Sequence, residues 1–343
     1  MPENLTTKKT VSHQTVPVSM TDRMRKAITK IKPGVVLVAA HDSSVMPYVR
    51  MVTERVILEG KQLADLPMSY VNALHALYGA NSRDADFAKT LHRCGPSARQ
   101  ISERYSCVPL AHCRDFSSLT DEGVHLLLEH LGDGACVTAQ VTVTSVAREE
   151  MAGMLSKLDS AAKERNGLIV LFLHLPKSED AAWMRRHAQE VILADKCDPG
   201  PGALVAFSLT ATSLEYQHTW GVGRTMCEVW AEDGWDFKQT IFVAATALDR
   251  AIWYLHCENE TVTTIASLVG KDKSNVSRRL KALPLSKDLD AEIGPYDGWR
   301  EDWFPFLGLD LEPESDEEAN DNGEAPPPDE DKGQSRSRKP VEI

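Results

Sequence analysis

The chain has 343 residues, room for about two domains, with 42% hydrophobic and 26% charged residues, ordinary proportions for a globular protein. A formal net charge of −12 excludes an evenly basic nucleic-acid coat protein, and no apolar run approaches the length of a membrane span, so no membrane partner is expected. The seven cysteines are odd in number and include no C-x-x-C pair, which points to reduced thiols in a cytosol; Cys107, His112 and Cys113 lack a fourth ligand, so no metal is expected.

In chain order, Met1–Thr21 is polar and without periodicity or a signal-peptide core, and residues 1–22 read as a flexible arm. Met24–Ile31 is a short amphipathic piece. Val35–Ala40, VVLVAA, predicts a strand buried on both faces. His41-Asp42-Ser43-Ser44 follows, then a helix over Met46–Glu59 with Val49, Val52, Val56 and Ile57 on its apolar face. Strand, tight loop and long helix open many nucleotide-binding α/β folds. The loop lacks that chemistry, because Ala40–Pro47 contains neither the Gly nor the Lys that cradles phosphate. No catalytic group, nucleotide or other cofactor is therefore assigned. His41, Asp42 and Ser43 are adjacent on a turn and point apart, so they form no relay.

Tyr70–Tyr78 and Asp84–Arg93 carry helical stripes, Ser106–Ala111 suits a short strand, and Thr120–Leu131 reads as a capped helix. Ala135–Val143 alternates as a strand and ends without a carboxylate that would hold Mg²⁺. Ala147–Arg165 is an amphipathic helix burying Met151, Met154, Leu155, Leu158 and Ala162. Leu168–Leu173 predicts another buried strand, with His174 at its end. Ala188–Ala194, Leu204–Thr210 and Arg224–Trp230 follow as strands of an antiparallel or mixed portion. Gly221-x-Gly223 lacks the third glycine and the helix of a dinucleotide site, and Trp220, Trp230, Trp235 and Trp253 suit packing better than base stacking.

The last third has the most specific pattern. A helix near Ala245–Leu255 precedes Thr263–Leu283, where Ile265, Ala266, Leu268 and Val269 form a buried stripe and Gly270 ends their helix. Asp272 or Ser274 caps a second helix whose apolar face is Val276, Leu280 and Leu283. That is a helix-turn-helix with a basic exposed face. Pro284–Trp303 is acidic and Pro/Gly-punctuated, unlike a basic hairpin wing. From Glu312 to Ile343 there are eleven acids against four bases, over half of the net charge. Residues 311–343 thus read as a disordered acidic tail, a solubilising tether or the site of a protein partner.

The run Ile265–Leu283 resembles the recognition element of MarR-like and Crp-like winged-helix regulators. The resemblance implies that Lys273, Ser274, Asn275, Ser277 and Arg278 face the major groove and that Arg279 and Lys281 meet phosphates, within a DNA-contacting stretch beginning at Lys271. More loosely, Val35–Trp230, with "LIVLFLHLPK" and "GALVAFSLT", is similar to the RecA-like core of RepA-type plasmid-replication helicases. His174 matches that family's γ-phosphate-sensing position, while both nucleotide signatures are missing.

The expectation is an α/β protein: a RecA-like, mostly parallel sheet flanked by helices over 23–238, then a small all-α, winged helix-turn-helix domain over 239–310. Its expected function is DNA-binding control of transcription or replication, plasmid control included, on a pseudo-ATPase scaffold. Double-stranded DNA and a second copy of the chain would be its partners, in a bacterial cytoplasm at nucleoid or plasmid. An ATP-dependent helicase with an unorthodox phosphate loop, and an adaptor using the winged helix and acidic tail, remain as alternatives.

Overall fold

The computed structural model describes residues 31–64, 66–67, 71–79, 103–110, 120–141, 148–175, 183–212, 224–231, 236–240, 244–283 and 295–309. The N-terminal arm, the expected helix at 84–93, His112, Cys113, Trp220, Trp235, the Gly221-x-Gly223 segment and the acidic tail lie outside the described residues.

Strand β1, Gly34–Ala40, is buried at every position and leads through a 3-10 turn at Ser43–Val45 into helix α1, Met46–Glu59. A small ribbon pairs β2 (Gln62–Leu63) with β3 (Leu66–Pro67). Strands β4 (Leu74–Gly79) and β5 (Tyr105–Leu110) follow, then helix α2, Asp121–His130, capped by Thr120. Strand β6 (Cys136–Val141), helix α3 (Arg148–Glu164) and strand β7 (Leu168–His174) come next. The sheet is completed by β8 (Glu190–Cys197), β9 (Val205–Ala211), β10 (Arg224–Trp230) and β11 (Asp236–Thr240).

Nine strands form one sheet in the order β11-β10-β9-β8-β1-β7-β6-β4-β5. Every pairing from β8 across to β5 is parallel, and β9, β10 and β11 are added antiparallel. The protein is therefore α/β with a mostly parallel sheet. Val36, Val38 and Ala40 pack under α1 on one face, and Val35, Leu37 and Ala39 under α2 and α3 on the other. Burial on both faces explains why these strands read as continuous apolar runs.

Three expectations need correction. The helical stripe at Tyr70–Tyr78 gives way to β4, both of whose edges are paired, with β5 and β6; a short apolar run has no periodicity of its own to separate helix from strand. Strand β11 carries the sheet to Thr240, past the boundary expected at 238. The acidic, Pro/Gly-punctuated Pro284–Trp303 stretch contains the start of a helix that its sequence pattern did not place, α7, Trp299–Leu307. Among the described residues no helix is long and apolar enough to cross a membrane.

Inside the α1 face lies a charged network. Glu54 is fully buried, and its Oε1 accepts hydrogen bonds from Arg50 Nε at 2.8 Å and Thr138 Oγ1 at 2.6 Å. Its Oε2 accepts from the Tyr78 and Tyr105 hydroxyls at 3.3 and 3.5 Å. Arg50 also donates to the Leu77 carbonyl at 2.9 Å and stacks 3.5 Å from the Tyr78 ring centroid. Burial opposes the Arg50 charge, but Tyr78 and Glu54 outweigh it and move its pKa up. Burial, reinforced by Glu54, pushes both phenols up.

Nearby, His75 Nδ1 lies 2.6 Å from Ser106 Oγ. Burial, with the neighbouring His130, holds its pKa below 6.5. As pH falls through 6.5 the unfolded chain takes up a proton that the folded chain refuses, so stability is lost on acidification. We expect the fall in melting temperature between about pH 7 and about pH 5.5 to be smaller in His75→Gln. An unchanged fall would remove His75 from the acid response.

The remaining helices are α4 (Ala247–Cys257), α5 (Val262–Leu268), α6 (Lys273–Ala282) and α7. They share a separate core in which Ile252, Leu255, Ile265, Val276, Trp299, Trp303 and Phe304 are buried. Arg250 of α4 fastens this core to the sheet: its Nη1 donates to Glu228 Oε1 of β10 at 2.6 Å and its guanidinium lies 4.9 Å from the Trp303 ring centroid. Gly200, after β8, passes so close that a Cβ there would sit 2.9 Å from Arg250 Nη1 and 3.0 Å from Trp303. Ala247 N donates to Asp198 Oδ2 at 3.3 Å, completing the seam.

Candidate nucleic-acid interface

Local capping builds the α5–α6 pair. Thr261 accepts from Thr264 N at 3.1 Å and starts α5, which buries Ile265, Ala266 and Leu268. Gly270, at φ +60°, reverses the chain in a conformation that L side chains resist. Of the two expected caps Asp272 is the one used, accepting from Asn275 N at 2.8 Å. Hydrogen bonds from the Ser274 hydroxyl and the Asn275 N–H hold the Asp272 carboxyl below the usual carboxylate range. An anionic cap at this end also complements the helix dipole.

Val276 points into the core, with Leu280 half-buried beside it. At about 100° per residue, Ser274, Arg278 and Lys281 fall opposite Val276, and all three are exposed. Lys271 and Lys273 are exposed at the start of the helix, and Ser277 is half-buried on its flank. Asn275 and Arg279 share the other flank. Arg279 is placed differently from the phosphate contact expected of it: its Nη1 donates to Asp249 Oδ1 of α4 at 2.6 Å and its Nε to Asn275 Oδ1 at 2.9 Å. An aspartate from another helix wins the guanidinium because both are partly withdrawn from water, at 17% and 30% exposure.

The same sorting occurs elsewhere in the helical unit. Arg300 engages Glu258 and Glu260, and Arg250 engages Glu228. Lys271, Lys273, Arg278 and Lys281 take no part in an ion pair with any described residue, so the outward side of α6 is basic although the chain is acidic. Exposed acids do occur on α7, at Glu301 and Asp302. Residues 284–294, where a wing would begin, lie outside the described residues.

A second polar cluster lies at the carboxyl ends of β1, β7 and β8. His41 Nδ1 meets Asp195 Oδ1 at 2.8 Å, and Lys196 Nζ lies 3.5 Å from Asp42 Oδ2. His174 is exposed, with Nε2 donating to the His41 carbonyl at 3.2 Å. Asp42 accepts from Ser44 N at 2.8 Å, and hydrogen bonds from the Ser44 hydroxyl and N–H lower its pKa. A carboxylate of the chain's own thus takes up a backbone donor of the 3-10 turn that leads into α1.

Sequence reading missed Asp195 and Asp249. A register signal existed for Asp195, since Ala40 pairs with Ala194 and His41 and Asp195 come next. Asp249 had none, because its partner is thirty residues away on another helix. Trp253 is buried and Trp230 half-buried, in packing positions. Cys107 is half-buried, and no metal-binding group of His, Cys, Asp or Glu occurs among the described residues. No protein-family model matches this chain, and no curated protein matches it.

Proposed function

We propose that this protein binds double-stranded DNA, with α5 and α6 as a helix-turn-helix and α6 as the helix entering the major groove. It would act in transcription or replication control, in the cytoplasm at nucleoid or plasmid, as a dimer matching two half-sites. The observation carrying the reading is the charge sorting around α6. Glu228, Asp249, Glu258 and Glu260 are taken up by Arg250, Arg279 and Arg300, while Lys271, Lys273, Arg278 and Lys281 face solvent. An α-helix fits the major groove, and cations on its outward side supply the phosphate term. We read the α/β part as a RecA-like body for docking and assembly, because Asp42 brings a carboxylate to the start of α1 where phosphate would sit.

Fluorescence anisotropy on mixed-sequence duplex DNA at several salt concentrations tests this. The intact protein should bind in a salt-sensitive manner. Arg278→Ala/Lys281→Ala should lower the magnitude of the log K against log salt slope by about 2, roughly 0.9 per lost phosphate contact. No binding, or an unchanged slope in the variant, would remove α6 from the interface and leave a protein-docking role for the helical unit.

A further inference from the structure

The side chain of Asn275 is held by a chain of hydrogen bonds that begins on another helix. Thr246 caps α4, accepting from Asp249 N at 3.1 Å and donating to Asp249 Oδ2 at 2.7 Å. That leaves Asp249 Oδ1 for Arg279 Nη1 at 2.6 Å, and Arg279 Nε then donates to Asn275 Oδ1 at 2.9 Å. A guanidinium only donates, so the Asn275 amide has one orientation that satisfies it. The carbonyl oxygen turns to Arg279 and the Nδ2 hydrogens turn away from it. Asn275 itself stands in the first turn of α6, the part of a recognition helix that reaches base edges.

We infer that Asp249 is a positioning residue, which through Arg279 presents the Asn275 amide with its donors outward. Asn275 then selects a base-edge acceptor in the major groove: purine N7, guanine O6 or thymine O4. This inference rests on α6 being the DNA-reading helix. A loose asparagine can turn either oxygen or nitrogen outward and reads donors and acceptors alike. A fixed one discriminates, because an edge presenting only donors at that point leaves its amide hydrogens unpaired. Arg279 thus serves selectivity from within the protein, without a phosphate of its own.

The test is selection of a duplex from a randomised pool by the full-length protein. Competition titrations with single base-pair changes follow, for the unaltered chain, Asn275→Asp and Asp249→Asn. Asn275→Asp keeps an acceptor for Arg279 but replaces the outward donors with an oxygen, and should lose about tenfold discrimination at one base pair. Asp249→Asn should relax that same position several-fold, leave the other positions as they were, and change the salt slope by less than 1. A merely structural Asp249 would weaken all sequences alike, and that result overturns the inference. Should Asp249→Asn fail to fold, Asn275→Asp decides alone, because its Arg279 contact is retained. Failure of the unaltered protein to enrich any sequence defeats the DNA reading itself. Enrichment with the same base preference in Asn275→Asp defeats the readout by Asn275, and with it the positioning role of Asp249, while leaving the DNA reading in place.

Discussion

Glu54→Ala is expected to destabilise the fold by about 3–5 kcal/mol, a large part of the roughly 5–15 kcal/mol that holds an ordinary domain together. The substitution leaves Arg50, 4% exposed, with its charge buried and its main counter-charge gone. It also strips acceptors from the hydroxyls of Thr138, Tyr78 and Tyr105. The cost comes from stranded donors rather than from the attraction of the pair itself, which makes a second variant informative. Arg50→Met/Glu54→Leu removes both charges and fills the space with apolar side chains. Urea unfolding should show the double variant more stable than Glu54→Ala alone, since a buried ion pair has little net value over a hydrophobic replacement. A double variant that is the less stable of the two would mean that the network contributes favourably beyond satisfying itself.

Arg250→Ala is expected to cost about 3 kcal/mol and to separate the α4–α7 unit from the sheet. This guanidinium joins Glu228, the Asp198 carbonyl and the Trp303 ring, and so contacts β10, the turn after β8 and α7 together. Lysine should not rescue it, because the seam uses a planar group that stacks and donates at once. Thermal unfolding of Arg250→Ala should resolve into two steps, and proteolysis should cut between β11 and α4 before the sheet is lost. A single transition at the original temperature would show that apolar contacts alone hold the seam.

Patterns local in sequence were legible. The α1 bounds, the stripe of α3, the buried run of β7 and the α5–Gly270–α6 unit all follow from spacing and capping over fewer than twenty residues. Features created by strand neighbours were not. Arg50 and Glu54 stand i,i+4, the spacing of an ordinary surface pair. Only Tyr78, Thr138 and Tyr105, from three strands distant in sequence, make that spacing a buried network. Strand β11, DFKQT, is a polar edge strand without clear alternation. In α7 the acids and Pro305 masked a helical pattern in which Trp299, Trp303 and Phe304 turn inward. On the proposed recognition helix, the cations of α6 could be counted from sequence. Which of them is free could not, because Asp249 claims Arg279 only once α4 is packed beside α6.

Helix α1 touches both margins of the nine-stranded sheet. Tyr105 at the start of β5 reaches Glu54, and Arg55 lies 5.1 Å from the Phe237 ring of β11 at the far side. The second contact spans 182 residues of chain, from 55 to 237. At usual rates of synthesis the ribosome needs about 10–40 s to make that length. Throughout that interval the place against Arg55 is not yet filled by Phe237. The residue waiting there is a charged arginine, which stays hydrated in a nascent chain and has a carboxylate, Glu59, on its own helix.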